Sequence, residues 1–122
     1  MSDVLRRTIR GRMELTRNES DMYNQEYYKQ DVEFDVHTHQ RVVLATSSGQ
    51  EQFDLSGLNT TNTGAAMMLT TDRTVVVAID TPANTITLSD NGMMMFTGSF
   101  THVYVENNST TYTASLEFIA TD

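Results

Sequence analysis

Strand-length runs with period-two alternation, each closed by turn residues, fill this 122-residue chain almost from end to end. That pattern constrains the fold more than any other feature. In Leu5–Thr16 (LRRTIRGRMELT), Leu5, Ile9, Met13 and Leu15 take odd positions, while Arg6, Thr8, Arg10, Arg12 and Glu14 take even ones. Successive side chains of a strand point to opposite faces, so this spacing gives one greasy and one charged face. Asp31–His39 alternates likewise, with Val32, Phe34 and Val36 against Glu33, Asp35, His37 and His39. Further strands are predicted at Arg41–Thr46, Ala65–Thr70, Arg73–Ile79, Thr85–Leu88, Met93–Thr97, Phe100–Glu106 and Thr110–Thr121. Arg73–Ile79 is rich in β-branched residues, which pack well on a pleated surface.

The punctuation between these runs is equally legible. Asn18–Asn24 reads as a turn and Glu26–Gln30 (EYYKQ) as a short helical turn. Ser47–Ser48–Gly49 is a turn, Gly57–Gly64 a loop, and Asp80–Asn84 a turn holding the only proline. Asp90–Asn91–Gly92 is the strongest short hairpin signal in the chain, and Gly98 marks a bulge. Short strands at this spacing, without a helix of any length, imply an antiparallel sandwich or barrel. The expectation is an all-β, jelly-roll-like antiparallel β-sandwich, one domain over residues 1–122, with residues 1–17 a basic N-terminal strand or arm. A chain of this length can sustain one core.

Composition removes several function classes. There is no cysteine, which excludes thiolate metal sites, cysteine nucleophiles and disulfide scaffolds. No apolar run approaches the ~20 residues needed to span a bilayer and no hydrophobic leader opens the chain, so no membrane partner is expected. Residues 1–17 carry five arginines against Asp3 and Glu14, a balance of +3, whereas the remainder carries −11. An acidic body is a poor match for phosphate, so no nucleic-acid partner is expected. Arg6, Arg10 and Arg12 either dock on an acidic surface or form the solvated face of a strand.

Little points to catalysis. His37 and His39 share a strand face about 6.5–7 Å apart, beside Glu33 and Asp35; three copies around a threefold axis would present six nitrogens to a transition metal. The plainer reading is a solvated polar strand face on which His37 and His39 pair with Glu33 or with neighbouring chains. No serine elbow, zinc-binding helix or phosphate loop occurs. Asp31, Glu33 and Asp35 crowd one face, a pattern that suits edge protection better than glycoside cleavage. Asp54, Asp72, Asp80 and Asp90 sit in turns without calcium-loop spacing. We therefore expect no enzyme and no cofactor. Two other readings stay open: a carbohydrate-binding module using Tyr23, Tyr27, Tyr28, Tyr104 and Tyr112 as stacking platforms, and a β-sandwich hydrolase using Glu33 and Asp35.

The run Met93–Phe96 (MMMF) poses the sharpest physical demand. Met93 and Met95 face one way and Met94 and Phe96 the other, so both faces need apolar cover. Either this is a core strand of one subunit, or its second face packs on a neighbouring copy. Met67 and Met68, beside Ala65, Ala66 and Leu69, can serve the same contact. Methionine tolerates a partner of imprecise shape.

Residues Asp80–Asp122, DTPANTITLSDNGMMMFTGSFTHVYVENNSTTYTASLEFIATD, resemble the C-terminal half of small virion structural proteins of tailed bacteriophages. The likeness rests on N-x-x-T-L at Asn84–Leu88, the turn at Asp90–Gly92 and the apolar strand Met93–Phe96. It continues through TGSFTHVYV at Thr97–Val105, N-x-S-T-T at Asn107–Thr111 and the alternating strand Tyr112–Ile119. The group's strand after the glycine turn is usually built from Val and Leu, where this chain has methionines. The resemblance implies a β-sandwich present in many symmetric copies on a capsid or tail, and it implies no catalytic residues. The expected function is that of a capsid decoration or cement protein, or of a head–tail or fibre accessory. Its partners would be itself, as a trimer, and capsid or tail proteins; it would be made in the bacterial cytoplasm and reside in the virion.

Overall fold

The computed structural model describes residues 5–17, 20–34, 36–58 and 61–122, with side chains described at all of these except 11–32 and 34. Residues 1–35 and 36–122 form two compact units. In the first, β1 (Leu5–Arg17) and β2 (Ser20–Phe34) pair antiparallel along their whole length. The helical turn expected at Glu26–Gln30 is therefore strand, as is the turn expected up to Asn24 from Ser20 onward. A long partner strand pairs with this segment on both sides of two register shifts, between Gly11 and Arg12 and between Leu15 and Thr16, and pairing overrides a weak local preference. The single strand expected over Asp31–His39 is divided: β2 ends at Phe34 and the next strand begins at His37.

The second unit contains β3 (His37–Leu44), β4 (Gly49–Gln52), β5 (Gly64–Thr71), β6 (Val75–Ile79), β7 (Thr85–Leu88), β8 (Met93–Phe100), β9 (Val103–Asn107) and β10 (Ala114–Thr121). They form two four-stranded antiparallel sheets, ordered β3-β10-β5-β8 and β4-β9-β6-β7. The pairings are nested: β3 with β10, β4 with β9, β5 with β8, β6 with β7. The arrangement is that of one long hairpin, tipped by β6–β7, rolled up until β10 meets β5 and β9 meets β6. This connectivity is a jelly roll.

The rolled topology corrects one reading of the sequence. Asp90–Asn91–Gly92 is a tight turn, with Asn91 at φ 57°, yet it does not close a hairpin. β7 pairs with β6 and β8 with β5, so the turn carries the chain from one sheet to the other. A tight turn fixes a reversal of direction; it does not choose which strands exchange hydrogen bonds. The bulge expected at Gly98 is present: Ala66 pairs with Thr97 and Gly64 with Phe100, leaving an extra residue on β8, where Gly98 takes φ 142°.

Both sheets bury their inner faces in one core that includes Leu44, Leu69, Val75, Val77, Val103, Val105 and Phe118. Alternation explains the set, because each of these residues occupies the inward position of its strand. Phe53, Leu55 and Leu58 also enter the core, from the connection between β4 and β5. Phe53 stacks on Phe118 with ring centroids 4.3 Å apart.

Turn carboxylates lock the ends of the roll. Asp72 Oδ1 accepts from the Ser115 amide at 2.7 Å, and Asp90 Oδ1 accepts from the Thr74 amide at 2.8 Å and its hydroxyl at 2.9 Å. Asp80 Oδ1 accepts from the Thr101 and His102 amides at 2.7 and 3.0 Å. Buried Asn107 donates from Nδ2 to the Ala45 and Tyr112 carbonyls and accepts from the Ser109 amide. These contacts give the turn acids an architectural role.

They also give stability a pH dependence. Burial pushes the Asp80 carboxyl up, but hydrogen bonds from Thr101 and His102 outweigh it and hold the group below its ordinary value. Hydrogen bonds from the Thr74 hydroxyl and amide lower Asp90, and those from Ser56 lower Asp54. A depressed carboxyl contributes stability that is complete above the unfolded value and is lost as pH falls through the folded one. Urea midpoints should therefore be level near neutrality and fall once the pH drops below the ordinary aspartate range. Asp80→Asn, which tolerates the left-handed φ of 60° at this position, should flatten part of that acid loss; an unchanged acid slope would refute the role of the carboxylate.

Candidate functional site

The two outer faces of the sandwich differ in chemistry. On the β4-β9-β6-β7 sheet, register places Gln50, Glu106, Val76 and Thr87 in one outward row and Gln52, Tyr104, Ala78 and Thr85 in the next. That face is largely polar. On the β3-β10-β5-β8 sheet the outward rows are His39, Ile119, Met68, Met95 and then Arg41, Glu117, Thr70, Met93. Three half-buried apolar side chains thus lie side by side across three strands, with Met93, 55% exposed, beside them on the next row.

Each strand explains its contribution. In β10 the inward residues Ala114, Leu116, Phe118 and Ala120 alternate with Ser115, Glu117, Ile119 and Thr121, so Ile119 is an apolar residue in polar phase. Met68 has the same relation to Met67 and Leu69, which belong to the core. In β8, Met94 and Phe96 pack against the core, which leaves Met93 and Met95 on the outer face. The alternation anticipated for MMMF holds: one face has its cover within the subunit, and the other is a surface. Met67 is 3% exposed and packs inside the sandwich, away from that surface.

β8 is also an edge strand. Its sequence, MMMFTGSF, has eight residues and no charge. The other edges are blunted: β3 carries His37, His39 and Arg41, while β4 and β7 have four residues each. Charge, shortness and bulges are the usual devices that stop an edge from accepting another strand; β8 has neither of the first two, and its bulge at Gly98 leaves Met93–Phe96 regular. A groove of about 450 Å³, lined in part by Arg41, Val43, Thr70, Ser115 and Glu117, opens on the same sheet, and Val43 is 68% exposed.

The remaining candidates fall as follows. His37 and His39 lie on the outward side of β3, and a ring nitrogen of His39 (Nε2) is 2.7 Å from Glu117 Oε1. Among the described residues no three His, Asp or Glu side chains gather to hold a metal. Arg6 pairs with Glu33 at 3.3 Å, and register sets Arg12 opposite Glu26 and Arg10 opposite Lys29. The basic strand thus faces an acid-rich partner in its own hairpin. The side chains of Arg12, Tyr23, Tyr27, Tyr28 and Asp31, and residue Asp35, lie outside the described set. Tyr104 projects from the outer face of β9, and the Arg73 guanidinium sits 4.0 Å over the Tyr112 ring. Sequence reasoning missed Ile119 and Val43; their signal was an apolar residue standing in polar phase. Comparison with protein-family models, with curated proteins and with solved structures finds no match.

Proposed function

We propose that this chain is a non-enzymatic structural subunit of a tailed-phage virion, of the decoration, cement or accessory kind. It works as a closed symmetric oligomer, with three copies as the expected order. The observation that carries the reading is the outward row of Ile119, Met68 and Met95, with Met93 beside it, at the uncharged open edge of β8. Met93 is exposed and Ile119, Met68 and Met95 each keep part of their area in water; removing such apolar area is worth about 25 cal/mol per Å², and a contiguous apolar set of this kind marks an association surface. Strand addition at β8 supplies backbone hydrogen bonds, while the methionines supply tolerant packing. Closure is needed because an open edge used without it propagates into fibres. The resemblance of Asp80–Asp122 to tailed-phage virion proteins supplies the setting, with capsid or tail proteins as further partners.

Sedimentation at micromolar concentration should give a species of three chains. The double substitution Met93→Glu and Met95→Glu should weaken association about 100-fold or more, equivalent to ~2.7 kcal/mol. It should leave the unfolding midpoint of the monomer nearly unchanged, because Met93 and Met95 lie on the outer face. A wild-type protein that sediments as a monomer would refute the proposal.

A further inference from the structure

The opposite sheet carries a second surface. Where the β4–β5 connection meets the β8–β9 turn, a groove of about 290 Å³ is lined in part by Gln52, Asp54, Ser56, Asn62, Thr101 and His102. One wall continues into an aromatic surface: the His102 ring lies parallel to that of Tyr104, with 7° between planes and centroids 5.9 Å apart. Register sets Gln52 directly opposite Tyr104. We infer that this groove binds a neutral saccharide, one sugar ring resting on the Tyr104–His102 surface while its hydroxyls meet the Gln52 and Asn62 amides and the Asp54 carboxylate.

Three observations select that ligand class. The groove lining holds amides, hydroxyls and a carboxylate but no Lys or Arg, and residues 36–122 carry only Arg41 and Arg73 against eight carboxylates. Phosphate, sulfate and sialic acid are repelled by such a field, so a saccharide held here is a neutral one. Among the described residues the Gln52 and Asn62 amides have no partner. By contrast Thr101 is held by Asp80, and one Asp54 oxygen by Ser56. Each amide offers both donors and an acceptor, the pairing that a vicinal diol requires. The ring faces are electron-rich and attract the weakly positive C–H edge of a pyranose. The volume lies at the small end of ligand sites, which are ~300–1,000 Å³, and suits a terminal sugar.

The test is an array of neutral glycans, ending in galactose, glucose, mannose or N-acetylhexosamines, printed beside sialylated and sulfated ones and probed with the full chain. Neutral glycans should be bound and acidic ones not. Titration calorimetry with the best neutral oligosaccharide should then show Gln52→Ala and Tyr104→Ala each weakening affinity about ten-fold. Gln52 is exposed on an edge strand, so its variant keeps the fold and serves even where Tyr104→Ala does not. Met93→Glu should bind as the wild type does, because it lies on the other sheet. Silence across the array, preference for acidic glycans, or full affinity in Gln52→Ala would overturn the inference.

Discussion

Replacing Phe118 with alanine is expected to lower the free energy of unfolding by about 3–5 kcal/mol. Phe118 is fully buried on β10, which lies between β3 and β5, so the cavity opens in the middle of a sheet where neighbours are least able to collapse. Its ring also stacks on Phe53, at 10° between planes, and an aromatic pair adds roughly 0.5–1.5 kcal/mol beyond its buried area. Domains of this size hold a margin of only about 5–15 kcal/mol, so the loss is a large fraction of the whole. Guanidinium unfolding measures it. Phe118→Leu should cost distinctly less, because it retains most of the volume; a cost below about 1 kcal/mol for Phe118→Ala would contradict the packing described.

Gly64→Ala is expected to be the most damaging single-methyl change, at about 1–3 kcal/mol. A Cβ at Gly64 would collide with Cζ of Phe100 and stand within 2.8 Å of three of its ring atoms. Phe100 is fully buried and pairs with Gly64 across β5 and β8. The ring covers the bare glycine backbone, an arrangement in which an aromatic compensates for a missing side chain. Because the ring is enclosed, it cannot swing away cheaply. Shortening it to leucine makes room, so Gly64→Ala and Phe100→Leu should be coupled. In a double-mutant cycle the pair should cost less than the sum of the singles, by about 0.5–3 kcal/mol. An additive cycle would show that the two positions do not touch.

How the chain carries such information is visible element by element. β6 was legible from its β-branched run, and β10 because alternation is local: Leu116, Phe118 and Ala120 mark the inward side without reference to any other segment. β4 was not, because GQEQ is exposed throughout and has no apolar member to set a phase; it is a strand only because β9 offers it hydrogen bonds. Of the connection after it only Gly57–Gly64 was read, as a loop, yet Phe53, Leu55 and Leu58 close the core from there. For β2 the local signals of turn and helix lost to a partner strand of matching length.

The association surface divides in the same way. That Met93 and Met95 share a face follows from the two-residue period alone. That Met68 and Ile119 join Met95 in a row does not, since Ile119 reaches Met68 only through the pairing of β10 with β5. The saccharide groove depends still more on topology, because its walls come from separate connections.

The amino-acid sequence by itself determined that this protein is made of strands, where most of them turn, and which face of each is greasy, because side-chain alternation and turn chemistry act between neighbours in the chain. The tertiary structure alone decided the partners: β7 beside β6 and not β8, and His39 against Glu117 across 78 positions of chain. Strand registry is settled by burying all the inner faces together in one core, and that condition is a property of the whole sandwich and of no single stretch within it.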